Sequence, residues 1–263
     1  YLVVFRKDMQ STVTWSNTGF PSGTAELNSD KFIPAVKGRY RISFDCLSGE
    51  YTFSADEVVP AEGIAMSEYT DTPGTIDGDL GEYNLQYGAA IMSPETATNN
   101  NSVKWGTDWD LDYMYVGVEV TDAVVEATNE GSPWENDAIE FYIDGNNDKD
   151  GPYDADYDTQ LIMDAFETTG LWIKADGVQL DPAQYEAVFV KTDNRYNVEM
   201  KLMWEIFDFA PGRNRVIGFS LGNNDSDLGI GRDYQVLWYG SGSNWSDTEQ
   251  LGDIQLKDGP YYP

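Results

Sequence analysis

Through most of the second half of the chain, apolar residues alternate with polar ones at the period of two that a strand with one buried face requires. In residues 111–120, Met114, Val116, Val118 and Val120 fall on one face, and Tyr113, Tyr115, Gly117 and Glu119 take the other. Residues 137–144 repeat the pattern, with Ile139, Phe141 and Ile143 opposite Ala138, Glu140 and Tyr142. Residues 196–202 alternate again, and 216–221, 234–238 and 254–256 read as further short strands. A helical turn or two fits only 204–209, where Pro211-Gly212 would stop it. Short strands punctuated by glycines predict an all-β fold, an antiparallel β-sandwich of jelly-roll type.

The first part of the chain reads as a small β unit. Residues 37–44 place Tyr40, Ile42 and Phe44 on one face, and the Ser48-Gly49 turn leads into Glu50-Tyr51-Thr52-Phe53, which pairs back as a hairpin. Residues 57–74 gather Pro60, Gly63, Pro73 and Gly74 among acidic and small residues without periodicity, the composition of a linker. The expected organisation is a β unit over 1–56, a linker over 57–74 and a main module over 75–258. Tyr1-Leu2-Val3-Val4-Phe5 reads as a strand already under way, so the chain is expected to be part of a longer or processed protein.

Charge and composition narrow the partners. With 46 Asp and Glu against 16 Lys and Arg, the formal net charge is -30, which repels nucleic acid and an anionic membrane surface. Membrane attachment would therefore come only through an upstream lipid anchor. Histidine is absent and Cys46 is the single cysteine, which removes an intrachain disulfide, a His-based triad, a Cys/His zinc site and the usual haem ligation. No apolar run reaches the 18 or so residues of a spanning helix. Paired carboxylates alone can hydrolyse glycosides, but among 46 acidic residues a chance pair says nothing. Binding without catalysis is expected, with a neutral glycan as partner and a monomer as the working state.

Seven fragments in order carry a resemblance. They are Ile76-Asp77-Gly78; the run from Trp109-Asp110-Leu111 to Val116; Val120-Thr121-Asp122; Pro133-Trp134-Glu135-Asn136-Asp137 continuing to Asp144; Tyr196 to Trp204; Ile217-Gly218-Phe219 with Asn224-Asp225; and Leu251 to Leu256. Together they resemble a family 9 carbohydrate-binding module over about residues 70–258. That resemblance implies a sugar ring held between two tryptophans, with a carboxylate and amides taking its hydroxyls. Trp134 matches the first tryptophan and Glu140 the carboxylate. Trp245, in the Gly/Ser-rich stretch with Asn244, is the candidate for the second, and Gln160 falls near the family's polar positions. Trp238, in an apolar strand, reads as core. Two departures stand out: Leu161-Ile162 replaces an arginine expected just after Gln160, and an amide expected near Gly222 is missing.

Residues 144–151 set oxygen ligands at alternate positions, Asp144, Asn146, Asp148 and Asp150, as Ca²⁺ loops do, although an acidic turn without metal fits equally. The first fifth of the chain, with Trp15, Gly19-Phe20-Pro21-Ser22-Gly23-Thr24-Ala25, Ile33-Pro34, Gly38-Arg39-Tyr40 and Gly49 to Phe53, resembles the end of a domain of SusE/SusF-like outer-membrane lipoproteins of Bacteroidetes. This implies glycan binding at the extracellular or outer-membrane surface of a Gram-negative bacterium. Two other readings stay open: a structural sandwich that has lost its sugar site, and the carbohydrate-binding part of a larger glycoside hydrolase.

Overall fold

The structure, a computed structural model, describes residues 63–154, 156–166, 172–174 and 180–261, together with Ser48 and six short strands nearer the N-terminus; those strands and 172–174 are described by their backbone. The chain divides into two compact units, Tyr1–Val59 and Pro60–Pro263. In the first, Tyr40–Phe44 pairs antiparallel with Glu50–Ala55, with Phe44 opposite Tyr51, so the hairpin read around Ser48-Gly49 forms. Ser22–Thr24 lies on the other side of Glu50–Ala55, and Phe5–Arg6, Thr14–Ser16 and Glu26–Leu27 make a second small sheet. The expected strand over Tyr1 to Val4 and the side-chain faces of the hairpin lie outside the described residues.

Among its described residues the second unit holds thirteen strands. In chain order they are β1 (Ile64–Tyr69), β2 (Tyr87–Gly88), β3 (Ile91–Ser93), β4 (Ser102–Trp109), β5 (Tyr113–Thr121), β6 (Ala138–Asp144), β7 (Asp158–Asp164), β8 (Trp172–Lys174), β9 (Tyr185–Thr192), β10 (Arg195–Met203), β11 (Val216–Asp225), β12 (Tyr234–Leu237) and β13 (Gly252–Leu256). One layer runs β8-β7-β6-β11-β13, with β12 and β3 continuing beside β11, and the other runs β4-β5-β10-β9. Pairing is antiparallel except at β1. Its first four residues pair parallel with β13 and its last two pair parallel with β4, so one strand hands the hydrogen-bond ladder from layer to layer.

Between the layers, Ile139, Phe141 and Ile143 of β6 and Phe219 and Leu221 of β11 meet Val116, Val118 and Val120 of β5 and Val198, Met200 and Leu202 of β10. Each such side chain, fully buried, contributes on the order of 1.5–3 kcal/mol. Trp105 is wholly buried at the centre of an aromatic group, with ring centroids 5.4 Å from Phe219 and 4.8 Å from Trp238, which packs on the core as its apolar strand implied. The expected helix over 204–209 is a 3-10 turn, Trp204–Phe207, ended at Asp208 by a left-handed backbone (φ 44) before Pro211 is reached.

The stretch read as a linker needs correcting. Residues 64–69 form β1, with Ala65, Met66 and Ser67 buried between the two layers. A strand that passes from one layer to the other need not keep one face to the core along its length, so it carries no period of two to read. A chain beginning at Thr75 should therefore lose the cooperative urea-unfolding transition that a chain beginning at Pro60 shows. Equal transitions in the two would contradict the place of β1.

Candidate functional site

The outward face of the β7-β6-β11-β12 layer is polar, yet it is buried. β6 places Glu140 and Tyr142 there, and the antiparallel registers bring Gln160 opposite Tyr142, Gly222 opposite Glu140, and Gln235 opposite Asn224. Loops before β6 and around β12 cover them, so Glu140 is 1% exposed. A buried carboxylate is tolerable only when it is fully hydrogen-bonded, and Glu140 is. Its Oε1 accepts from Asn224 Nδ2 (2.6 Å) and from Arg232 Nη1 (3.0 Å). Its Oε2 accepts from Tyr142 Oη (2.9 Å) and from Gln160 Nε2. Burial, and then the Glu140 charge, push the Tyr142 phenol well above its ordinary range, which keeps it a donor. Gln235 Nε2 completes the network, donating to Tyr142 Oη (2.9 Å) and to Asn224 Oδ1 (2.8 Å).

Above this floor opens a cleft of about 460 Å³ lined by Trp134, Glu135, Glu140, Tyr142, Gln160, Arg232, Gln235 and Trp245. Trp134 rides on a 3-10 turn, Pro133–Glu135. Asn136 pins that turn, donating to Asp164 Oδ2 (2.6 Å) and exchanging bonds with the Asn129 backbone, while Asn224 Nδ2 reaches the Trp134 carbonyl (3.3 Å). Trp245, 52% exposed, is carried by a loop that its neighbour shapes. Asn244 is buried inside that loop, with Oδ1 accepting from Ser241 N (2.9 Å) and Nδ2 donating to the Tyr239 carbonyl (2.9 Å). Tyr153 Oη donates to the Asn244 carbonyl (2.6 Å), tying the loop to the connection between β6 and β7.

Four of the five residues singled out as sugar contacts, Trp134, Glu140, Gln160 and Trp245, thus line one cleft. Asn244 does not; its amide is spent on holding the loop that presents Trp245. Four lining residues were not read from the sequence as contacts: Glu135, Tyr142, Arg232 and Gln235. Tyr142 was assigned to the correct face of its strand, two residues from Glu140. Arg232 and Gln235 answer the two departures noted above, because the guanidinium missing after Gln160 arrives on the 226–233 loop. At Gly222 a Cβ would lie 2.9 Å from the Gln235 amide, so that glycine leaves the room Gln235 occupies.

Comparison with known proteins agrees with this fold. Residues 74–259 match the carbohydrate family 9 binding domain-like family. The chain belongs to this family. An endo-1,4-beta-xylanase A of Thermotoga maritima is 29% identical over 201 residues, which cover 74% of this chain but 18% of the xylanase. The chain therefore spans less than a fifth of the length of that relative. Among solved structures, a family 9 carbohydrate binding module from Caldicellulosiruptor kristjanssonii in complex with cellotriose superimposes with a TM-score of 0.63 at 21% identity, covering 76% of this chain and 100% of the module. The same organism's module in complex with glucose gives a TM-score of 0.62 at 21% identity, covering 76% and 98%.

The family 9 domain here also buries acidic groups away from the cleft. The alternation read over 144–151 does not hold in the loop, because Asn147 (φ 53) and Lys149 (φ 51) turn left-handed. Asn146, Asp148 and Asp150 are consequently exposed and bond among themselves along the loop. Asp144 is buried and instead pairs in register with Asp158. Asp144 Oδ1, Asp158 Oδ1 and Asn147 Oδ1 are all buried without a hydrogen-bond donor. A second group, Asp122, Asp225 and Asp227, brings carboxylate oxygens within 4.8 Å of one another, with Asn101 Nδ2 donating to Asp225 (2.7 Å). Asp122 Oδ2, Asp225 Oδ2, Asp227 Oδ1 and Asn101 Oδ1 likewise lack donors. Burial pushes the Asp158 carboxyl up to about 7 and that of Asp225 to about 6, and it raises Asp122 and its neighbour Asp137 as well.

Glu140 should be as important to the fold as to any ligand. Its replacement by alanine leaves Asn224, Gln160 and the Arg232 charge short of an acceptor and should cost about 3–5 kcal/mol of stability by chemical denaturation. Glu140→Gln, which keeps the shape, should cost distinctly less. Equal loss in both would mean that the hydrogen bonds around Glu140 carry no weight.

Proposed function

We propose that the cleft holds a neutral sugar by stacking on Trp134 and Trp245 while the polar floor around Glu140 takes its hydroxyls. The observation that carries this reading is one cleft in which two indoles stand over a fully hydrogen-bonded polar floor. Pyranose rings offer C–H faces that suit flat indoles, and their hydroxyls need placed donors and acceptors to replace water. Cellotriose and glucose, held by the solved family 9 modules, make β-linked glucan chains the first ligands to try. An extracellular place follows from such a ligand. The N-terminal hairpin and the motifs that resemble SusE/SusF-like lipoproteins favour attachment at a bacterial outer surface. The likeness to a short part of a xylanase favours service as the binding part of a larger enzyme.

Tryptophan replacements test the clamp. Trp134→Ala or Trp245→Ala should each weaken cellotriose binding by about 2–4 kcal/mol in a calorimetric titration, the range of a buried aromatic anchor. Trp245→Ala should leave the melting temperature unchanged, since half of that indole is in solvent. A Trp134→Ala chain that binds as the parent does would contradict the clamp.

We also propose Ca²⁺ as a structural ion. The donors are all oxygen, the ligand set this hard cation takes, and the orphaned buried oxygens of Asp144, Asn147 and Asp158 would hold it with no donors left to displace. Asp122, Asp225, Asp227 and Asn101 would hold another in the same way. Without the ion, carboxyls whose folded pKa lies above the unfolded value of about 4 weaken the fold as they ionise. In EDTA, stability should therefore fall as pH rises from about 4 through about 7 for Asp158. Millimolar Ca²⁺ at neutral pH should restore about 3 kcal/mol at a hundredfold excess over Kd. A melting temperature indifferent to both Ca²⁺ and EDTA would exclude the ion.

A further inference from the structure

A carboxylate offers about four hydrogen-bond positions, and Glu140 has four donors on it already: Asn224 and Arg232 on Oε1, Tyr142 and Gln160 on Oε2. A sugar hydroxyl reaching Glu140 finds no open acceptor on that carboxylate. Three of the four donors belong to strands and are buried, with Asn224 at 0% and Tyr142 at 1% exposure. Arg232 differs. It comes from the loop between β11 and β12, lines the cleft, and keeps 34% of its side chain exposed. Among the described residues its side-chain hydrogen bonds use Nη1, to Glu140 Oε1 and to Asn224 Oδ1, both at 3.0 Å. A guanidinium carries five N–H groups in a fixed plane, so fixing Nη1 orients the remainder while leaving it donors to spend.

The loop that carries Arg232 is itself tied down. Thr128 Oγ1 donates to the Gly229 carbonyl (2.8 Å), Ser226 Oγ to the Gly231 carbonyl (3.0 Å), and Asp233 N to the Asp225 carbonyl (2.7 Å). The Arg232 backbone N–H donates to Glu135 Oε2 (3.1 Å). Gly231 (φ 124) allows that approach, since a Cβ there would come within 2.5 Å of the same oxygen. Placement before the ligand arrives avoids the entropy cost of ordering a long side chain on binding.

We propose that Arg232 is the specificity-determining group of this cleft, donating to the hydroxyls of a neutral pyranose stacked on the tryptophans, and that Glu140 acts on the sugar through it as a positioning residue. The charge around it sets the class of sugar. Glu135 and Glu140 both lie beside the single guanidinium in the cleft lining, so the local balance is negative and a uronic acid is repelled, as it is by the chain's net charge of -30.

The proposal rests on the sugar-clamp reading, and one set of titrations separates the two. Parent, Arg232→Ala, Arg232→Lys, Glu140→Gln and the Arg232→Ala/Glu140→Gln double variant are titrated with cellotriose, and the parent also with glucose and glucuronate. Arg232→Ala should weaken cellotriose binding roughly ten- to a hundred-fold, the loss expected for a hydrogen bond from a charged donor. Lysine, which lacks the planar fork, should recover only part of it. Glu140→Gln should weaken the parent but add little in the Arg232→Ala background, a coupling that a merely structural role would not produce. Glucuronate should bind the parent more weakly than glucose. A parent that binds no sugar at all overturns the clamp reading and the proposal with it. A parent that binds while Arg232→Ala binds equally or more tightly overturns the proposal alone, as does a Glu140→Gln loss undiminished in that background or a preference for glucuronate.

Discussion

One buried carboxylate organises the working end of this domain. Glu140 sits in the middle strand of a sheet, under covering loops, where an unpaired charge would cost several kcal/mol. Its compensation comes from its own strand, two neighbouring strands and one loop: Tyr142 beside it on β6, Gln160 on β7, Asn224 on β11 and Arg232 on the 226–233 loop. Each of those groups is thereby fixed in rotamer and direction. Asn224 passes the constraint to the Trp134 carbonyl and Gln235 extends it to β12, so the floor and one wall of the cleft form a single bonded network. The second wall, bearing Trp245, is held separately by Asn244 and Tyr153.

Much of the fold was legible because half-buried strands write themselves in a period of two. β5, β6 and β10 were placed within two residues of their observed bounds. Two of the strands that were missed, β1 and β7, lack that signal. β1 pairs first with one layer and then with the other, and β7 (Asp158–Asp164) is buried on both faces, which removes the contrast between inward and outward residues. The site divides along the same line. Trp134 and Glu140 could be matched by motif, Gln160 by its nearness to the family's polar positions and Trp245 by its Gly/Ser-rich surroundings, and strand alternation placed Glu140 on the outward face. Arg232 and Gln235 could not be reached that way, because they enter through cross-strand register and a loop that returns over the sheet. Asn244 looked like a contact from its position beside Trp245, but a short polar side chain in a tight loop is more valuable bonded to that loop's own backbone.

The acidic composition also takes on a more definite meaning in three dimensions. Many of the carboxylates are solvated, but Asp122, Asp137, Asp144, Asp158 and Asp225 are buried, and burial raises the pKa of each. Several present oxygens with no donor to meet them. These groups lie at strand ends and loop bases: Asp137 binds the backbone N–H groups of Glu126 and Ser226, the latter at the root of the loop that carries Arg232. Charge neutralisation there would stiffen the same loops that shape the binding surface, which links the acid content of the chain to the geometry of its cleft.

The central claim is that a sugar binds between Trp134 and Trp245 and nowhere near the other indoles. The chain has eight tryptophans, among which Trp105, Trp109 and Trp204 are buried in the core. Nitrogen-15 labelling of the indoles, followed by NMR titration with cellotriose, reads all of them at once. The indole N–H signals of Trp134 and Trp245 should shift together along one saturable curve while those of the core tryptophans stay in place. Saturable shifts confined to other tryptophans, or none at millimolar cellotriose, would contradict the account.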